Sequence, residues 1–92
     1  MNKTITKESS VSTPKTLPRW KVLLPNDNAI LFDRVIKVTA QLTSLPKNEI
    51  TEKVWEAHTK GIALLLVTHQ ERAELFEEQF ASCKIRVIIE PE

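Results

Sequence analysis

The sequence predicts an α/β fold of the α+β kind: a β-α-α-β-α-β two-layer sandwich, with a small antiparallel sheet and helices on one face. Three observations predict it. Short runs rich in Val, Ile and Leu stand near the start, middle and end, at RWKVLL, IALLLVT and KIRVIIE. Between them, apolar residues recur every three or four positions, the spacing of one helix face. Prolines and a lone glycine punctuate the joints, where chain direction changes.

Arg19–Leu24 is the first strand. It mixes aromatic, β-branched and aliphatic residues between Pro18 and Pro25, and Pro25 ends it because proline has no N–H for a strand ladder. Asn26, Asp27 and Asn28 follow. Such side chains are common in turns and at helix starts, where their oxygens accept free amide hydrogens. They can equally form a polar clamp for a ligand, and the three residues alone leave both roles open. Leu31, Val35, Val38 and Leu42 then recur at helical spacing, with Asp33, Arg34, Lys37 and Gln41 on other faces. This predicts an amphipathic helix over about residues 30–43, capped by Asn28 or a neighbour.

Ser44-Leu45-Pro46 opens a second helix, with proline in the first turn, where its missing donor matters little. Ile50, Val54 and Ala57 mark its buried face, with Trp55 and His58 close to it. Gly61 is the only glycine and stands just past Lys60, where a left-handed residue would end the helix. Ile62–Thr68 is continuously apolar and short, which predicts a strand buried on both faces. Thr68 and Glu71 have the spacing of a capping box. They open a third helix, about residues 69–82, that buries Ala73, Phe76 and Phe80 and exposes Glu74, Glu77 and Glu78. Lys84–Glu90 alternates Ile85, Val87 and Ile89 against Lys84, Arg86 and Ile88, the pattern of a half-buried strand.

Residues 1–18 hold few large apolar side chains and are expected to form a flexible N-terminal tail. The domain is expected to span residues 19–92. A chain of 92 residues suits one such unit. Its net charge is +1, and its Lys and Arg residues are scattered among Glu, which argues against a nucleic-acid partner. No apolar run is long enough to cross a membrane, and the N-terminus lacks the apolar stretch of a secretory signal. Cys83 is the only cysteine, so no internal disulfide is expected and a reducing compartment is. His58 and His69 lie on different elements, without the spacing of a metal site. One glycine cannot build a phosphate loop, and no nucleophile constellation is apparent. The expectation is therefore a protein that is not an enzyme and carries neither metal nor other cofactor.

RWKVLLPNDN, then a helix, EAHTKG, a buried strand, a T-x-x-E helix start and a final strand ending IEPE together resemble the ClpS family. These are adaptors that deliver N-degron substrates to Clp AAA+ proteases. The resemblance covers about residues 19–92 and is most specific in K-V-x-L-x-N-D and H-x-x-G. It implies that Asn26 and His58 hydrogen-bond the free α-amino group of a substrate, with Asp27 beside them. An α-ammonium carries three donors; an amide oxygen and a neutral imidazole nitrogen are suitable acceptors.

The resemblance also implies an apolar hole for the first side chain, lined by Ile30, Leu31, Phe32, Val35, Val54, Ala57 and Ile85. It further implies a chaperone-facing surface at Glu71 and Phe76, although Glu71 also reads as a plain capping-box acid. The implied partners are N-degron substrate proteins and peptides and the N-terminal domain of a ClpC- or ClpA-type chaperone. The chain is expected to be a monomer in the cytoplasm, or in the chloroplast stroma of a plastid-bearing organism. Some residues depart from the family pattern. Asn28 replaces a carboxylate, Phe32 a gating Met, Val54 a Met and Ala57 a Val, which implies a hole narrower at its mouth and roomier on the helix side. An alternative role is a regulator that binds the chaperone and no N-degron.

Overall fold

The computed structural model describes residues 18–92. Apart from Pro18, the expected tail lies outside the described residues. The elements are β1 (Arg19–Pro25), α1 (Phe32–Leu42), α2 (Lys47–Lys60), β2 (Ile62–His69), α3 (Gln70–Ser82) and β3 (Ile88–Pro91). Their order is the predicted β-α-α-β-α-β.

The sheet is antiparallel in the order β2-β1-β3. Alternation along β1 puts Val22 and Leu24 on one face, where they are 0% and 4% exposed. All three helices pack there. Val35 and Val38 of α1, Ile50, Val54 and Ala57 of α2, and Ala73, Phe76 and Phe80 of α3 join them in one core. Complete burial of a side chain such as Ile50 or Phe80 stabilises by about 1.5–3 kcal/mol. The result is an α+β sandwich of two layers.

β2 is not buried on both faces. Ala63 and Leu65 are buried, but Ile62 and Leu64 are 40% and 37% exposed. β2 lies at the border of the sheet, and the helices pack on one face only. An unbroken apolar run therefore failed to distinguish one covered face from two. The pairing register also jumps: Val22 faces Leu66 while Leu23 faces Leu64, so Leu65 is the extra residue of a β-bulge. The jump changes the phase of the strand, and Leu66 packs against the core together with Leu65.

The expected capping box does not form. Thr68 still pairs with Trp20 in the sheet, and the N-cap of α3 is His69, with no side-chain cap bond. Glu71 lies in the first helical turn, where a carboxylate is favoured by the positive helix end. At the other end of α2, Gly61 adopts φ 91° and its N–H donates to the Ala57 carbonyl at 2.8 Å, as a left-handed C-terminal glycine should.

β3 starts at Ile88, later than expected, and the C-terminal cap of α3 takes up the chain as far as Ile85. Lys84 takes φ 65°. Its N–H donates to the Ala81 carbonyl, and the Ile85 N–H donates to the Phe80 carbonyl, both at 2.9 Å. This pair of bonds is a Schellman motif. It leaves Ile85 and Phe80 buried together at 2% and 0% exposure. The Arg34 guanidinium braces the same end from α1, donating to the Cys83 carbonyl at 2.6 Å.

Candidate functional site

The polar turn is tied to the end of α2 by backbone alone. Pro25 pairs with Ile62 at the close of β1, and the Asn26 N–H donates to the Gly61 carbonyl at 3.0 Å. Gly61 in turn bonds back to Ala57. Two hydrogen bonds thus link Asn26 to the last turn of α2, which carries Ala57 and His58.

Within the turn, the Ala29 N–H donates to Asp27 Oδ1 at 3.0 Å, and Asn26 Nδ2 donates to Asn28 Oδ1 at 3.4 Å. These residues close their own turn. They do not cap α1, whose N-cap is Leu31 with no side-chain cap bond; the polar cluster stands too far ahead of the helix start. The Asn26 amide is engaged through its nitrogen, and among the described residues no donor reaches its oxygen or the second oxygen of Asp27, both of which can accept.

Beside the turn lies a hollow. Asn26 and Asp27 are on its edge, with Ile30, Phe32 and Val35 on one side, Val54 and Ala57 of α2 on another, and Ile85 closing it. Leu24, Pro25 and Arg86 also line it. The sequence reading missed these three; the first two immediately precede the polar turn, and Arg86 adjoins Ile85, so proximity in the chain could have suggested them. The hollow spans about 360 Å³ with the open space at its mouth included, and the part that a water-sized group can occupy is about 20 Å³. That is room for one water molecule.

Leu31 is not part of the lining and is 77% exposed. The resemblance implied it in the hole, but α1 begins one residue later and Leu31 holds extended backbone at φ −69°, ψ 143°. His58 is exposed and likewise outside the lining. Its ring stands 5.2 Å from that of Phe32, edge to face at 76°. Trp55 completes the group, 5.1 Å from Phe32 and 5.7 Å from His58, again nearly perpendicular to each.

The second expected surface is only half present. Glu71 is exposed. Phe76 is a core residue at 4% exposure, so it cannot meet a partner; the helical period that buries Ala73 and Phe80 buries it too. The Arg72 guanidinium lies 5.2 Å from the centre of its ring, a cation–π distance, so Arg72 occupies that surface instead.

A helix-backed antiparallel sheet with an apolar hollow beside a polar turn defines a small α+β domain of two layers. Comparison with known proteins gives it a family. The family described as "ATP-dependent Clp protease adaptor protein ClpS" matches residues 15–85. The ATP-dependent Clp protease adapter protein ClpS of Synechococcus elongatus is 34% identical over 90 residues, 97% of this chain and 95% of that protein. The protein of the same name from Thermosynechococcus vestitus is 31% identical over the full length of both chains. Among solved structures, that of Agrobacterium tumefaciens ClpS2 bound to L-phenylalaninamide superposes with a TM-score of 0.76 at 23% identity. It covers 82% of this chain and 98% of that one, and shows the same fold. The chain belongs to the ClpS family of Clp protease adaptors.

Proposed function

We propose that the domain grips a substrate protein by a bulky hydrophobic N-terminal residue and hands it to a Clp AAA+ chaperone-protease. The observation that carries this reading is the juxtaposition of an apolar hollow with the open acceptors of Asn26 and Asp27 at its edge. A chain start offers matching chemistry: an α-ammonium with three donors, and an apolar side chain one bond away. The ligand of the Agrobacterium structure, L-phenylalaninamide, combines a free amine and an apolar side chain in the same way. In this role the Asn26 oxygen accepts from the ammonium, His58 accepts through a neutral ring nitrogen, and Asp27 supplies charge. Arg86 at the rim has only donors, so it suits a backbone carbonyl of the incoming peptide. The exposed Glu71 and Arg72 at the start of α3 then form the face for the N-terminal domain of a ClpC- or ClpA-type chaperone.

The hollow as it stands has room for little more than a water molecule, so binding requires its lining, half-buried Phe32 included, to give way. Burying a Leu or Phe side chain yields about 1.5–3 kcal/mol, from which that displacement subtracts. The test is a titration of peptides beginning with Leu or Phe against the same peptides N-acetylated. Acetylation removes the charge and donors together, so the free peptides should bind at least about tenfold tighter; equal affinities overturn the proposal. The small space within the hollow also favours a second reading, a regulator that engages the chaperone and takes no N-degron. It predicts chaperone capture without any affinity for either peptide.

A further inference from the structure

Trp55 is an anomaly in the packing. It is 53% exposed and belongs neither to the core nor to the residues packed against it. Its aromatic neighbours are Phe32 and His58, and all three rings meet edge to face, the favoured geometry for aromatic pairs. Trp55 and His58 are three residues apart on α2 and so share a face. Phe32 comes from the first turn of α1 and is the member of the trio that lines the hollow.

This arrangement couples the hollow to a residue outside it. The space of about 20 Å³ that a water-sized group can occupy is too small for an apolar side chain, so the lining must yield; within it, Phe32 is only half-buried and is the ring packed on groups outside the hollow. Moving that ring disturbs its contacts with Trp55 and His58. A wider entering group needs a larger displacement, so the penalty rises with the width of the first side chain. We propose that Trp55 is a positioning residue that holds Phe32 across the hollow and thereby discriminates against wide N-terminal side chains. The proposal rests on the N-terminal-residue reading above and adds to it a determinant of selectivity.

The test compares Leu-, Phe- and Trp-starting peptides, each free and N-acetylated, on the full chain and on Trp55→Ala and Trp55→Phe. Trp55→Ala should shift the ratio of Phe- or Trp-peptide affinity to Leu-peptide affinity toward the wider residue by about three- to tenfold. Trp55→Phe keeps an aromatic partner and should restore most of the native ratio. A merely structural role would move all free peptides by a common factor, leaving the ratios unchanged; that result overturns the proposal while sparing the parent reading. If the native chain binds free and acetylated peptides alike, the parent reading falls and this one with it. Trp55 is half exposed, so Trp55→Ala should fold, and its denaturant midpoint checks this separately.

Discussion

Asn26 divides one side chain and one peptide group among three duties. Its backbone N–H holds the turn to the end of α2, its side-chain nitrogen reaches Asn28, and its oxygen is left at the edge of the hollow. Substitution by Ala keeps the backbone bond and removes the other two. The turn retains the Asp27 bond to Ala29, so stability should change little. A hydrogen bond to a charged group contributes about 1.5–3 kcal/mol, so Asn26→Ala should weaken binding of a free-amine peptide by tenfold or more. The acetylated peptide should be unaffected. Anisotropy titration of both peptides measures the difference, and parallel losses would assign Asn26 to folding alone. Lys84 is the converse case, a residue that the backbone tolerates at some expense. A left-handed non-glycine residue costs about 1–2 kcal/mol, while glycine loses about 0.5–1 kcal/mol through the freer unfolded chain. Lys84→Gly should therefore stabilise the domain by about 0.5–1 kcal/mol, read as a raised denaturant midpoint with unchanged slope. A loss of stability would show that the lysine side chain contributes through contacts of its own.

At the scale of elements, the sequence exposed most of the architecture. The 3.6-residue period of Ile50, Val54 and Ala57 and of Ala73, Phe76 and Phe80 survives intact in α2 and α3, because both helices press one stripe against the sheet. Gly61 marked the end of α2 because few residues other than glycine hold φ near 90° without strain. The misses have specific causes. Burial on one face or two depends on which strands are neighbours, a property of the assembled sheet, so IALLLVT could not reveal that β2 lies at a border. The T-x-x-E spacing gave no way to see that Thr68 is retained by its partner Trp20 across the sheet. Phe76 was offered as a surface residue by resemblance, while its own helical period had already placed it inside. For the hollow, the family resemblance supplied the lining, while periodicity marked Val35, Val54 and Ala57 only as buried helix positions. The packing of Phe32 on Trp55 and His58 joins rings from two helices, and no spacing rule encodes that.

For the whole molecule, the proposed complex joins a cation on the ligand to oxygen and nitrogen acceptors on the domain. A peptide α-amino group has an ordinary pKa of about 7.7–8.0, so affinity for a free-amine peptide should fall as base removes that charge. An N-acetylated peptide has no such group and should show no alkaline fall. Binding of the free peptide that stays level through that range, measured by anisotropy, would remove the ammonium from the recognition.

The bulge at Leu65 has a consequence for life in a crowded solution. Among the described residues the sheet has two outer borders, and each is a possible template for a stray chain. One border is broken by the extra residue, which interrupts the row of peptide groups that an incoming strand would need. The other, β3, is four residues long and ends at Pro91, which offers no N–H. Both margins are thus blunted against β-aggregation, a useful property in a protein whose proposed business is with other proteins' loose ends.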